Sequence, residues 1–206
     1  MQPSEFRALI KTVQQPWFWD FANKVLYDLC RKHPHHRDAS VAAAKIWLIG
    51  RSYAAAIERR KVMTPGSFYR DRVAPAVVKS EIDEWLLEVR SAGPLSERTF
   101  QAIVETHKYV TDLFRSISGQ EKRSLASKYL HFHAPGMFFI YDSQAVKGMR
   151  KLASVTGRAG ACEISSDNEY RKFAEKCLRL RDHIRETHGV ALTPRQIDRL
   201  LLLLAQ

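Results

Sequence analysis

A lysine and an aspartate that could act together lie in one short part of the sequence. Lys128 falls in a helix predicted from about Ser124 to His133, and Asp142 stands directly before the next predicted helix. The first helix carries an apolar stripe at helical spacing, formed by Leu125, Tyr129 and Phe132. Lys128 lies on the flank of this stripe, against an apolar surface. Burial of an ammonium group favours loss of its proton, which is how a lysine becomes nucleophilic, and a nearby carboxylate could stabilise developing positive charge.

Six further residues are candidates for contacts with a substrate. His131 lies one helical turn from Lys128 on the same flank, so we expect it to line the lysine's pocket. Arg51 falls in the segment Ile49 to Tyr53, within a long helix that we expect to run to the basic cluster beginning at Arg59. The remaining candidates are Ser127, His133, Tyr141 and Tyr53.

The helix around Arg51 has two interpretations. A glycine within a helix costs about 1 kcal/mol relative to alanine, so we expect Gly50 to permit close packing or the approach of a ligand. Arg51 and Arg59 lie near one helical face and could line a groove for phosphate. The alternative is a face that is solvated or paired with carboxylates.

No metal or cofactor is expected. His131 and His133 are two residues apart, so on a helix their side chains point in different directions. The three cysteines, Cys30, Cys162 and Cys177, include no CxxC pair. Their odd number and spacing predict neither a disulfide framework nor a cysteine-rich zinc site, and are typical of a reducing compartment.

The charge of the chain favours a polyanionic partner. Lys and Arg number 33 against 22 Asp and Glu, which gives a net charge of +11 and a pI near 9.8. Nucleic acid, nucleotides and acidic lipid are attracted to such a protein, although a soluble surface that is merely basic has the same composition. No apolar run approaches the ~20 residues that span a bilayer, so we expect a cytoplasmic protein without a membrane partner.

The rest of the sequence predicts an all-α protein. Apolar residues recur at helical spacing along most of the chain, and the exceptions are turns and a Gly- and Ser-rich loop from Ser154 to Asn168. We expect residues 1–206 to form one folded unit. Helix starts are predicted at caps and helix ends at glycines, namely Asp38 or Ser40, Ser96, Asp142, Thr193, Gly119 and Gly189.

The order of residues between positions 96 and 155 resembles that of the helix-hairpin-helix DNA glycosylases, and is most similar to 8-oxoguanine DNA glycosylase-like proteins. The resemblance rests on Lys128 early in one helix, a short loop with Pro135, the apolar run from Met137 to Tyr141, and Asp142 capping the next helix. The sequence departs from that superfamily before Lys128, where it has no Gly-rich hairpin and Ser118-Gly119 and Arg123 to Ser127 stand instead. The resemblance implies two helical lobes around a basic cleft, one formed by residues 1–92 with 193–206 and the other by 93–192.

The resemblance also implies a reaction. In that superfamily the lysine attacks the sugar carbon as the base leaves and forms a Schiff base, while the aspartate stabilises the cationic transition state. Lys128 and Asp142 would take these roles in a DNA or nucleoside N-glycosylase that acts on a modified purine, with or without a lyase step. Relatives of this kind suggest DNA repair or antiviral defence in bacteria.

Two other functions remain open at this stage. A protein of the same fold without catalysis would bind a nucleotide or nucleic acid through Lys128, Arg51 and other basic groups. In a purely structural interpretation Lys128 is a surface lysine and Asp142 only a helix cap. Close approach of Lys128 and Asp142 in one cleft would favour the glycosylase or the binding protein over the purely structural interpretation.

Overall fold

The computed structural model describes residues 2–58, 65–156 and 168–206, and within these ranges it contains helices and no strand. The all-α prediction is therefore confirmed for the described residues. The helices are α1 (Pro3–Gln14), α2 (Asp20–Lys32), α3 (Ala39–Ser52), α4 (Pro65–Phe68), a π-helical turn (Tyr69–Val73), α5 (Ala74–Val78), α6 (Ile82–Ser91), α7 (Phe100–Ser118), α8 (Arg123–His133), α9 (Ser143–Arg150), α10 (Ala153–Thr156), α11 (Asn168–His188) and α12 (Pro194–Ala205). Most of the predicted loop from Ser154, as well as Arg59 and Cys162, lies outside the described residues.

Several helix ends follow the predicted capping chemistry. Asp38 accepts hydrogen bonds from two backbone N–H groups at the start of α3, and Asp142 accepts one at the start of α9. Thr193 and the side chain of Gln196 form a capping box before α12. Gly119 ends α7 in the left-handed conformation, with φ of 71°. The prediction of Ser96 as a cap is wrong, since α7 begins later.

The predicted extension of α3 past Ile57 is wrong, because α3 ends at Ser52. The chain then turns through Ala54, whose φ is 51°, and passes back over Gly50. A Cβ atom on Gly50 would lie 3.3 Å from the Cα atom of Ala56, so the glycine permits a close approach of the backbone. Tyr53, the residue just after α3, is thereby turned towards α8.

The buried face of α2 also differs from the predicted one. Apolar spacing through Phe18, Phe21 and Leu26 predicts core positions here, but Phe18, just before α2, and Phe21 are 84% and 79% exposed. Leu26 is buried as predicted, and Asn23 and Cys30 are buried beside it. Asn23 is accommodated there because its side-chain oxygen accepts a hydrogen bond from the Tyr53 hydroxyl.

Helix α8 lies within the core. All of its residues from Leu125 to His133 are buried, and it packs against α2, α3 and α7. Buried apolar side chains from most of the helices join in one cluster. Side chains on α8 are therefore held by neighbours on several sides, which suits a helix that positions a reactive group.

Helix α9 is held mainly by α12, with which it makes the most extensive contact of any described pair of helices. The two backbones meet at Gly148, where a Cβ atom would lie 2.8 Å from the carbonyl carbon of Leu201 and would overlap its oxygen. Helix α12 also packs on α1. No helix among the described residues has the length and apolar character to cross a bilayer. The proposed division into two lobes stays a prediction.

Candidate active site

Lys128 and Asp142 form an ion pair at the wall of a cleft. The Lys128 Nζ atom lies 2.9 Å from Asp142 Oδ2, and the two side chains are 3% and 23% exposed. Lys128 comes from the middle of α8, and Asp142 is the residue before α9. The structure thus brings together the two residues singled out for catalysis.

The ammonium group of Lys128 has two further oxygen partners. It donates to Ser124 Oγ at 2.9 Å and to the Tyr53 carbonyl oxygen at 3.4 Å. The centroid of the Tyr53 ring lies 5.6 Å from Nζ, within cation–π range. With Asp142, three oxygen acceptors meet the three donors of the ammonium group, which fixes its position.

Asp142 is held at the start of α9 as well as by the lysine. Its Oδ1 atom accepts a hydrogen bond from the backbone N–H of Ala145 at 2.9 Å. Burial opposes ionisation of Asp142, but the Lys128 ammonium and the Ala145 N–H outweigh that effect and keep the pKa of the carboxyl below its usual value. Asp142 is therefore an anion at neutral pH, and the positive end of the α9 dipole also favours this charge.

The cleft beside the pair has a volume of about 1000 Å³. Its walls come from the turn after α3, the start of α8 and the first turns of α9. The described residues that line it include as many basic as acidic side chains: Lys122, Lys128 and Arg150 against Glu121, Asp142 and Glu169. A ligand of nucleoside size would fit, since small-molecule sites range from about 300 to 1,000 Å³.

No family model, curated protein or solved structure matches this chain.

Tyr53 and Tyr141, both predicted as substrate contacts, line this cleft. Ser127 is buried behind it, where its hydroxyl accepts a hydrogen bond from the backbone N–H of Tyr141 at 3.0 Å and donates to the Ser124 carbonyl at 3.1 Å. Ser127 thereby fastens the segment just before Asp142 to α8. Its role in the structure is to position the carboxylate.

His131 does not line the cleft, contrary to the expectation from its spacing. The ring is fully buried, with Nδ1 2.8 Å from the Phe138 carbonyl oxygen and Nε2 2.7 Å from the Tyr27 hydroxyl. Because a carbonyl only accepts, Nδ1 carries the proton and Nε2 accepts from Tyr27. Burial lowers the pKa of His131 to about 4, so the ring is neutral.

His133 also lies away from the cleft, and it lines a different cavity. Its Nδ1 atom is 2.8 Å from the Tyr129 carbonyl oxygen. Within the described parts of the chain, no group of three or more His, Cys, Asp or Glu side chains is placed to hold a metal ion.

Arg51 points away from the Lys128 cleft and does not line it. Its guanidinium pairs with Glu58, which also accepts a hydrogen bond from the Tyr69 hydroxyl at 2.6 Å. The structure therefore shows the carboxylate-paired arrangement, which was the alternative to a phosphate groove.

Asp198 is a charged residue of this region that the sequence interpretation missed. It is 3% exposed and pairs with Arg195 at 3.0 Å. Burial raises its pKa to about 7, with the Arg195 charge acting in the opposite direction, and it is close enough to interact with both Asp142 and Lys128. In the sequence, Arg195 and Asp198 look like an ordinary exposed pair three residues apart on a helix, so only packing reveals that the pair is buried.

Proposed function

We propose that this protein is an N-glycosylase that removes a modified purine from DNA or from a nucleoside, with Lys128 as nucleophile and Asp142 as the assisting carboxylate. The observation that carries the proposal is the ion pair of 2.9 Å between these residues at the wall of a cleft large enough for a nucleoside. A fold of two helical lobes like that of the helix-hairpin-helix glycosylases belongs to the same proposal.

The first requirement of the reaction is a neutral amine. Lys128 is an ammonium group in the ion pair, and only the amine has the lone pair that attacks carbon. The carboxylate of Asp142 is within hydrogen-bond reach and can take the proton. From Asp142 the proton can pass to the departing purine, which leaves more readily once protonated.

Attack then exchanges one bond for another at the anomeric carbon. The Lys128 nitrogen forms a bond to that carbon while the bond from the carbon to the purine nitrogen breaks. Loss of the second amine proton and opening of the sugar ring, whose oxygen gains a proton, leave a Schiff base between Lys128 and the sugar. The negative charge of Asp142 stabilises the positive charge that develops on the sugar during this exchange.

The surroundings of Lys128 suit this sequence of steps. Ser124 and the Tyr53 carbonyl hold the nitrogen in place after Asp142 has taken its proton. The Tyr53 ring beside Nζ favours a cationic sugar for the same reason that it favours the ammonium group. The net charge of +11 favours a substrate that carries phosphates, as DNA does.

One observation favours a second function, a binding protein of the same fold without catalysis. The ammonium group of Lys128 already has three oxygen partners, which stabilise its charged, non-nucleophilic form. Such a protein would recognise the phosphate or sugar of a nucleotide or of nucleic acid in the cleft and leave its glycosidic bond intact.

Borohydride trapping separates the two functions. Purified protein is incubated with duplex oligonucleotides that carry 8-oxoguanine, an abasic site or no damage, and borohydride reduces any Schiff base to a stable adduct. We expect an adduct with the unaltered chain and none with Lys128→Gln. Lys147→Gln is the matched control, because Lys147 is an exposed lysine on α9 that does not line the cleft.

Each outcome has a clear meaning. An adduct that persists in Lys128→Gln places the nucleophile elsewhere. Absence of an adduct on every substrate, with salt-sensitive binding retained, supports the binding protein. Free modified nucleosides, analysed for release of the base, test the nucleoside form of the proposal in the same way.

A further inference from the structure

A second cleft, of about 820 Å³, lies between the second half of α2, the end of α8 and the start of α12. It shares no lining residue with the Lys128 cleft among the described residues. Its walls combine aromatic rings, three arginines and buried polar atoms that lack partners. Each of these features could contact a different part of the same kind of ligand.

The end of α8 contributes an unused hydrogen-bond acceptor. The His133 side chain is 6% exposed, and its Nδ1 atom faces the Tyr129 carbonyl oxygen at 2.8 Å. The proton must therefore be on Nδ1, which leaves Nε2 with a lone pair. This Nε2 atom is buried and has no hydrogen-bond partner among the residues that the structure describes. A buried acceptor without a donor is destabilising, so a ligand that supplies an N–H group would stabilise the site.

Helix α2 contributes an aromatic wall. Tyr27 lines the cleft, and its ring packs on Phe132 with centroids 4.7 Å apart. The Tyr27 hydroxyl donates to His131, which fixes the orientation of the ring. A flat ring that carries N–H groups, as nucleobases do, can stack on such a surface while it donates to His133.

Three arginines line the same cleft and provide positive charge: Arg31, Arg90 and Arg195. Arg90 donates to the His133 carbonyl oxygen at 2.8 Å and is held near the end of α8. The side chain of Arg31 is largely exposed, and its partner Asp28 is shared with Lys24. The Nε atom of Arg195 is a buried donor without a partner in the described parts of the chain. Thr193 places the positive end of the α12 dipole at this cleft.

We propose that this second cleft binds a phosphorylated nucleoside. The base stacks on Tyr27 and donates to His133 Nε2, and the phosphate lies on Arg31 and Arg195. The ligand thus supplies a donor to the unused acceptor and an acceptor to the unused donor. The site does not depend on Lys128 chemistry, so it stands or falls separately from the proposed glycosylase.

Calorimetric titration with AMP, adenosine and inorganic phosphate tests the assignment. We expect AMP to bind more tightly than adenosine or phosphate alone. The decisive probe is N6,N6-dimethyl-AMP, in which the base has no N–H donor. It should bind about tenfold more weakly than AMP, the ratio for one buried hydrogen bond. In His133→Phe, AMP and the dimethyl analogue should bind equally.

Two variants locate the site. Arg31→Gln removes an exposed charge that the fold does not need, and we expect it to weaken AMP at least tenfold while adenosine is little affected. Lys128→Gln should leave AMP affinity unchanged. Loss of AMP binding in Lys128→Gln, or no AMP binding at millimolar concentration by the folded protein, would overturn the proposal. Equal binding of AMP and its dimethyl analogue by the unaltered chain would overturn it as well.

The same experiment distinguishes the two sources of such a ligand. A 5′-phosphorylated single-stranded oligonucleotide is tested as a competitor of AMP. Competition that is lost in Arg31→Gln identifies a nucleotide at the end of a nucleic-acid strand as a ligand, whereas AMP binding without competition identifies a free nucleotide. Both results support a site for a phosphorylated nucleoside.

Discussion

Lys128 Nζ and Asp142 Oδ2 lie 2.9 Å apart, and each atom belongs to a group that is held by other contacts as well. The lysine is anchored by Ser124 and Tyr53, and the aspartate by the backbone of Ala145. The pair is therefore formed before any substrate arrives. In the proposed reaction, a substrate must separate the two charges or insert beside them, and the energy for this has to come from its binding.

Asp142→Asn separates the charge of this residue from its role as a cap. Asparagine is as good an N-cap as aspartate, so α9 should keep its start. The carboxylate that takes the lysine proton in the proposed reaction is lost, and we expect release of the base to fall by about 10²-fold or more, as is typical for removal of a general base. Product formation in single-turnover assays measures the loss.

Asp38→Asn is the matched control for that substitution. Asp38 caps α3 by the same kind of hydrogen bond, and no described lysine pairs with it in the way that Lys128 pairs with Asp142. The thermal midpoints of both variants should stay near that of the unaltered protein, while only Asp142→Asn loses activity. Similar losses in both variants would show that charge at Asp142 has no special role.

A double-mutant cycle measures the strength of the ion pair. We expect Lys128→Gln alone to be destabilising, because it leaves a buried carboxylate without its cation. The double variant with Asp142→Asn should lose less stability than the sum of the single variants. The coupling energy should be about 1–3 kcal/mol, the range for residues in direct contact. Urea unfolding of the four proteins gives this value, and a coupling near zero would contradict the observed geometry.

Gly148→Ala should destabilise the protein and displace Asp142. The added methyl group would overlap the backbone of Leu201, which cannot move without shifting α12. Overpacking in a core costs about 1–3 kcal/mol, and backbone collisions lie at the upper end. Gly136→Ala is the control, since a Cβ atom there meets no heavy atom within 4 Å. Denaturant midpoints should fall clearly for the first variant and stay within experimental error for the second.

Acid should destabilise the protein between about pH 6.5 and pH 4. Burial lowers the pKa of His36 and of His131 to about 4, and that of His133 well below its usual value. In this range the unfolded chain binds protons that the folded chain does not, so the free energy of unfolding falls with pH. Each such group contributes about 1.4 kcal/mol per pH unit while it is protonated only in the unfolded chain. Urea unfolding at about pH 7 and about pH 5 checks the direction.

The titration of Asp198 changes the free energy of unfolding in the opposite direction to that of the histidines. Asp198 therefore provides a test of the pH dependence expected above. Burial raises its pKa to about 7, so between about 4 and 7 the folded chain holds a proton that the unfolded chain has released. Its contribution to stability is therefore lost as the pH rises through this range. Asp198→Asn should increase the difference in stability between about pH 7 and about pH 5. A smaller difference in the variant would be inconsistent with a protonated Asp198.

Residue patterns within one helical turn were enough to predict the part of the site that is formed at a helix end, namely Asp142 at the start of α9. Asp142 stands before an apolar helical pattern, and aspartate at that place accepts from the following backbone, as it does in the structure. Thr193 and Gln196 likewise form the capping box that the sequence predicts at the start of α12. These features depend on residues within one turn of each other, so the sequence contains all the information needed.

Other features depend on packing between distant segments. Lys128 and His131 share a flank in the sequence pattern, but the Tyr27 ring and the Phe138 carbonyl draw His131 into the core. The early end of α3 is accompanied by a close backbone approach at Gly50, where a Cβ atom would lie 3.3 Å from the Cα atom of Ala56. The helical spacing of α2 is compatible with two different buried faces. The hydrogen bond that Asn23 accepts from Tyr53, which lies outside α2, favours the less apolar of the two. Periodicity cannot resolve such cases, because the deciding partner lies elsewhere in the chain.

The contact of Gly148 with Leu201 has a consequence for the time at which the site is assembled. The ribosome makes α8 and α9 well before α12, so a nascent chain carries Lys128 and Asp142 while α9 still lacks the surface against which it packs. The carboxylate then has no fixed distance from the lysine. Because α9 packs mainly on α12, we expect the ion pair of Lys128 and Asp142 to reach its final geometry only after α12 has been synthesised and has packed onto α9.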